Sequence, residues 1–118
     1  MEYKSINPDY LETVSGGDSE IIKEIVDMFT EQSSEAYTQM LSLLEKGNFY
    51  DLGMLAHKMK SSVAIMGMDD LATMLKTFEI QTKDGKNSES YGAYIERFRN
   101  DTEIAISELT DYINNRLK

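Results

Sequence analysis

The stretch Ala56-His57-Lys58-Met59-Lys60-Ser61-Ser62-Val63-Ala64-Ile65-Met66-Gly67 decides how this chain folds, and it holds the one histidine of the sequence. No proline interrupts residues 48–67, and the apolar residues recur at helical spacing. At about 100° per residue, Leu52, Leu55, Ala56, Met59, Val63 and Met66 share one arc of roughly 100°, wide enough to be a core face. His57 falls about 160° from the centre of that arc, near the opposite side. Its neighbours on the wheel, Gly53, Ser61 and Ala64, are all small. Glycine inside a helix costs roughly 1 kcal/mol against alanine, so Gly53 is locally unfavourable, and a space cleared around the imidazole would account for it. Lys60, three residues on, brings an ammonium beside the ring. Met54, Ile65 and Met68 form a second, smaller apolar patch away from the core. A lone histidine on a helix is ordinarily an inert surface residue or a satisfied core residue. Its place off the apolar arc speaks against the second reading, and its small neighbours and nearby methionines speak against the first.

Upstream, Asn7 is a candidate N-cap with Pro8 at the first position of a short helix, which Gly16-Gly17 ends. Asp18 or Ser19 caps a long second helix. Its apolar positions, among them Ile21, Ile22, Ile25, Met28 and Phe29, continue through Leu43 and Leu44 to about Lys46. Gly47-Asn48 reads as a stop followed by a cap, and the third helix runs from about Asn48 to Met66. Downstream of Gly67, Asp69 or Asp70 restarts a fourth helix through Leu71, Met74, Leu75 and Phe78 to Gln81 or Thr82. Residues 83–87 are a polar connection. Ser88 or Ser90 opens a last helix with Tyr94, Ile95, Phe98, Ile104, Ile106, Leu109, Tyr112 and Ile113 as its apolar positions. Strand signals are absent. Four amphipathic helices with short connections predict an all-α fold, an antiparallel up-down four-helix bundle with a short extra N-terminal helix across one end.

The composition agrees. At 118 residues the chain reads as a single domain, 1–118, long enough for a real core, with 41% hydrophobic and 28% charged residues. There is no cysteine, which removes disulfides, thiolate metal sites and a cysteine nucleophile. No apolar run approaches a membrane span and no leader pattern opens the chain, so the expected compartment is cytoplasmic, with no membrane partner. A net charge of -9 argues against nucleic acid and anionic membranes; it suits a protein that meets other proteins.

Little of the usual chemistry is available. One histidine and no cysteine disfavour a zinc site. There is no Walker or dinucleotide glycine spacing and no EF-hand loop. A Ser-His-Asp triad stays open on sequence, but no nucleophile elbow appears. Acidic groups such as Asp69-Asp70 read as caps and solvated faces, and most of the eight methionines as core filler. What is left is an exposed imidazole, a competent nucleophile toward an activated phosphoryl group. Lys60 could neutralise the added charge, and hydroxyls of Ser61 and Ser62 could donate hydrogen bonds to it. With nothing to hold ATP or Mg²⁺, the phosphoryl group must arrive on another protein and leave to another.

Ala56-His57-x-Met59-Lys60-Ser61-Ser62, with Gly67 ten residues past the histidine and then Leu71, Leu75 and Phe78-Glu79, resembles the histidine-containing phosphotransfer (HPt) domain. That family's usual pattern is A-H-x-L-K-G-S, a later glycine, and L-x-x-x-C-x-x-L-E. The similarity extends upstream through Tyr10-Leu11, Gly17-Asp18 and Met28-Phe29, and covers about residues 8–115. The resemblance implies a four-helix bundle that relays phosphate in a multistep His-Asp phosphorelay. His57 would be the phosphorylated residue, Lys60 the lysine beside it and Gly67 the turn after the helix. Ser61 stands where the family usually has glycine, which adds a hydroxyl near the imidazole. Leu75 stands where cysteine is common. Glu79 is the candidate for the Gln or Glu often found near the histidine. The partners implied are response-regulator receiver domains, which bring their own aspartate and Mg²⁺, and a hybrid sensor histidine kinase. The expected protein is a monomer without a cofactor of its own and not an enzyme. Gly53, Met54, Ala64, Ile65, Met68 and Glu79 are the docking candidates. Two other readings stand beside this one. The first is the phosphoacceptor domain of a hybrid or chemotaxis-type histidine kinase; Met1 and the lack of a linker lean instead towards a freestanding protein. The second is a helical binding module in which His57 is never phosphorylated.

Overall fold

Local signals set the helix ends in a computed structural model that describes residues 3–116, the side chain of Arg116 excepted. Asn7 Oδ1 accepts from the Asp9 amide, and Pro8 opens α1 (Pro8–Ser15). Asp18 accepts from the amides of Glu20 and Ile21 and starts α2 (Ser19–Lys46); such caps contribute about 1 kcal/mol each. Gly47, at φ 71°, closes α2 in the left-handed conformation that glycine adopts without a Cβ penalty. Asn48 then caps α3 (Phe49–Ile65). After one turn come α4 (Asp69–Asp84), a single 3₁₀ turn (Ser88–Ser90) and α5 (Tyr91–Arg116). No strand occurs among the described residues.

α2 packs on α3 and α5, α3 on α4, and α4 on α5, so the four long helices enclose one core. Gly53 and His57 of α3 meet Thr82 and Glu79 of α4, so that pair runs antiparallel. The core arc read for α3 is the buried face: Leu52, Ala56, Met59, Val63 and Met66 are buried and Leu55 partly so. Phe29, Leu71, Leu75, Phe78, Tyr91 and Phe98 complete the centre. The Tyr91 hydroxyl donates to the carbonyls of Gln81 and Lys86, which ties the α4–α5 turn to the core.

The N-terminal segment crosses the end of the bundle. The amides of Lys4, Ser5 and Ile6 all donate to the buried carboxylate of Glu108 on α5. The Asn7 amide donates to the Met66 carbonyl. Gly67, at φ 78°, lies directly under this crossing, where a Cβ would come within 2.6 Å of the Asn7 nitrogen.

Several expectations are corrected here. Asp69 and Asp70 do not cap α4. Met68 holds the N-cap position without a side-chain bond, and the two acids lie in the first turn, where the helix dipole favours them. Met68 is also not part of an outer patch: it is 4% exposed. Its amide reaches back to the Val63 carbonyl across Gly67, so the chain has left the α3 helix and the wheel no longer says where the side chain goes. Ile104, expected among the apolar positions of α5, is exposed. Helix α4 runs two residues past Thr82, and α5 begins at Tyr91 rather than at a serine.

Candidate functional site

Helix α3 presents His57 outward, with 55% of its side chain exposed. Ala56 and Met59 on either side are buried, so the helix cannot rotate to hide the ring without exposing the core. On α4, Phe78 and Thr82 are buried and place Glu79 at the α3–α4 seam, its side chain only 13% exposed. The His57 Nδ1 lies 3.0 Å from Glu79 Oε1. Glu79 Oε2 accepts from Lys83 Nζ at 2.8 Å, and Lys60 Nζ stands 3.9 Å from Oε1. The Lys83 ammonium first, and the imidazole after it, hold the Glu79 carboxyl below its ordinary value against the opposing pull of burial. Glu79 in turn raises Lys83.

This arrangement fixes the ring chemically. An ionised carboxylate only accepts hydrogen bonds, so Nδ1 carries the proton. Nε2 is left with its lone pair, on the ring of a half-exposed side chain. The site is therefore a nucleophilic nitrogen with its opposite nitrogen anchored.

Other predicted residues sit differently. Gly53 is buried, and the space it leaves is not for the imidazole. A Cβ there would lie 2.5 Å from Thr82 Oγ1, 3.1 Å from Lys83 Cγ and 3.3 Å from the Glu79 carbonyl oxygen. The residue lets α3 and α4 approach closely, which brings Glu79 within reach of the ring, and, being buried, it offers no surface for docking. Glu79 likewise belongs to the imidazole and two lysines rather than to an outer contact surface. Ser61 is exposed one turn beyond His57 and Ala64 half-buried two turns beyond. Ser62 points away: its hydroxyl donates to Gln32 Oε1 on α2, because it lies on the seam with that helix. Met54 and Ile65 are exposed, 43% and 38%. They stand eleven residues apart, about 16 Å along the axis, and flank His57 instead of forming one patch.

Sequence reasoning overlooked two features. Lys83 reads from sequence as part of a polar connection, although its four-residue spacing from Glu79 is that of a helical ion pair. Ile21 and Met28, which the spacing places among the apolar positions of α2, are exposed instead. Among the described residues no cluster of three or more His, Cys, Asp or Glu side chains is placed to hold a metal ion, and no helix is long and apolar enough to cross a membrane.

Compared with the profiles of known families, residues 24–114 match the Hpt domain. No curated protein and no solved structure matches the chain.

Proposed function

The chain belongs to the Hpt domain family, and from that membership we propose that it is a phosphocarrier of a His-Asp phosphorelay, with His57 Nε2 the atom that carries the phosphoryl group. The Nε2 lone pair attacks the phosphorus of a receiver's aspartyl-phosphate. The P–N bond forms as the P–O bond breaks, and the aspartate carboxylate leaves with the electron pair. The proton stays on Nδ1, and the Glu79 carboxylate that accepts from it offsets the positive charge that develops on the ring. Lys60 is held loosely enough to turn from Glu79 to the new phosphoryl oxygens, and the exposed Ser61 hydroxyl lies within a helical turn of them. Transfer to a second receiver is the reverse of the same step. Mg²⁺ belongs to the receiver in this reading. The donor upstream is a hybrid sensor histidine kinase, and the carrier works as a cytoplasmic monomer without turnover of its own.

The observation that supports this best is the Nδ1–Glu79 contact on a half-exposed ring. The test is intact-mass measurement after incubation with phosphorylated receiver domains. The expected result is one added phosphoryl group, acid-labile and base-stable, and absent from His57→Gln. If His57→Gln accepts phosphate as the parent does, the assignment of the atom is wrong. If neither protein accepts it from any receiver in a broad panel, the chain is a helical binding module instead.

A further inference from the structure

Glu79 meets two ammonium groups, and they do not hold it alike. Lys83 Nζ donates to Oε2 at 2.8 Å, whereas Lys60 Nζ stands 3.9 Å from Oε1, the oxygen that faces His57 Nδ1. The two lysine side chains are almost equally exposed, 33% and 31%, so burial does not choose between them. Position does. Lys83 lies four residues beyond Glu79 on the same helix, at the spacing of an intrahelical ion pair. Lys60 has to reach across from α3. The Lys83 stem is also seated against α3. Gly53 leaves room for it, since a Cβ there would lie 3.1 Å from Lys83 Cγ, and the Tyr50 ring centre stands 6.0 Å from the ammonium. An exposed pair four residues apart ordinarily contributes little. Here the anion is a mostly covered carboxylate, and a charge in that setting needs a fixed partner. The lowering of the Glu79 carboxyl accordingly comes from Lys83 first.

We propose that Lys83 is a positioning residue for the transfer: it fixes Oε2 of Glu79, which aims Oε1 at His57 Nδ1 and leaves Lys60 free to follow the phosphoryl group. This rests on the phosphocarrier reading and adds to it a residue that acts through Glu79 rather than on the phosphoryl group. The two lysines compete for one carboxylate. Without Lys83, the other ammonium near Glu79 is Lys60, which has only about 1 Å to close from 3.9 Å to a direct charge-assisted bond. Held there, Lys60 turns to the phosphoryl oxygens only by leaving a mostly covered carboxylate unpaired, and an unpaired covered charge is costly. With Lys83 in place the carboxylate keeps its partner, and Lys60 moves at little cost.

The test uses phosphoramidate, which loads His57 without a docked partner. Nε2 bonds to phosphorus, the P–N bond of the donor breaks, and ammonia leaves with the electron pair. Intact mass against time gives the rate. Lys83→Met keeps the stem and removes the ammonium; it should slow loading about tenfold, the equivalent of one hydrogen bond to a charged group. Lys83→Arg restores the charge and should recover most of that loss. The Glu79→Gln background separates positioning from structure. There Lys83 draws the amide oxygen to itself and turns the NH₂ towards Nδ1. Removing Lys83 lets Lys60, on the Nδ1 side, draw the oxygen back. Lys83→Met should therefore speed loading in Glu79→Gln, and at the least not slow it, while it slows loading in the parent. A side chain that only held the helices together, or that touched the phosphoryl group itself, would slow both. Urea midpoints check that every variant is folded. The positioning role is wrong if Lys83→Met loads at the parental rate, if arginine does not recover the loss, or if loading slows in Glu79→Gln as well; the nucleophile then still stands. If phosphoramidate fails to load His57 in the parent, the carrier reading itself falls.

Discussion

Replacing Glu79 by glutamine keeps the shape of the side chain and removes its charge. The parent carboxylate can only accept, so it fixes the proton on Nδ1 and leaves Nε2 nucleophilic. A glutamine has one acceptor and one donor end, and its surroundings choose between them. Lys83 Nζ lies 2.8 Å from Oε2 and Lys60 Nζ 3.9 Å from Oε1. The closer ammonium draws the amide oxygen to itself and turns the NH₂ towards His57. That NH₂ donates to Nδ1, so the proton moves to Nε2 and blocks the attack. A charge-assisted hydrogen bond contributes about 1 kcal/mol more than a neutral one, and 1.36 kcal/mol corresponds to tenfold. A loss of roughly fivefold in loading by phosphoramidate is expected from that bond, with the ring's half exposure keeping it from growing much larger. Intact mass against time gives the rate. Glu79→Ala, which removes the acceptor, should lose at least as much. Equal loading rates in parent, Glu79→Gln and Glu79→Ala would refute the tautomer argument. The same variant has a second signature. Because the folded Glu79 carboxyl lies below its ordinary value of 4.5, its contribution to stability is complete above about that pH. It is lost as the pH falls through the folded value. Urea midpoints of the parent should therefore fall on acidification more than those of Glu79→Gln.

Three other substitutions test the frame. His57→Gln, at an exposed position off the core, should change the unfolding free energy by less than about 1 kcal/mol, measured by urea denaturation. Gly53→Ala gains about 1 kcal/mol of helix propensity but meets Thr82 Oγ1, which is held by the carbonyls of Phe78 and Glu79. Overpacking of that kind costs about 1–3 kcal/mol, so no net gain in urea midpoint is expected, and phosphoramidate loading should slow as α4 and Glu79 move away. Glu108→Gln presents an NH₂ to one of the three amides that its carboxylate now accepts. A loss of about 1–3 kcal/mol follows, with faster hydrogen exchange at Lys4, Ser5 and Ile6; protection equal to the parent's would show that the crossing is held by other contacts.

Periodicity located the helices because burial inside a bundle repeats with the turn of the helix. The α3 arc was legible to the residue, and Asn7-Pro8, Asp18 and Gly47-Asn48 marked their boundaries as the capping geometry requires. The rule failed where the chain left the helix. Met68 lies past a left-handed glycine, so its direction depends on where α4 begins and not on the α3 wheel. It failed also at the end of α4. Lys83-Asp84 read as polar connection, yet a helix end needs no apolar residue where a lysine can pair back to Glu79 and face the dipole.

The site divides along the same line. One helix wheel shows which way His57 points, since that is a property of α3 alone. It cannot show what stands opposite, because that depends on the distance and register between two helices. Gly53 carried the missing information, but under the wrong reading. On one helix wheel Gly53 reads as room for a side chain of its own helix, whereas it is room for the neighbouring helix, Thr82 Oγ1 first. Read as a contact point, it sets α4 beside the turn of α3 that precedes His57. Antiparallel pairing then brings the residue one turn before Thr82 to the ring. That residue is Glu79, with Lys83 one helical turn further on. A small residue on the flank of a reactive helix, followed by an acid and a lysine four apart on the next helix, is the pattern from which the anchored nitrogen could have been read.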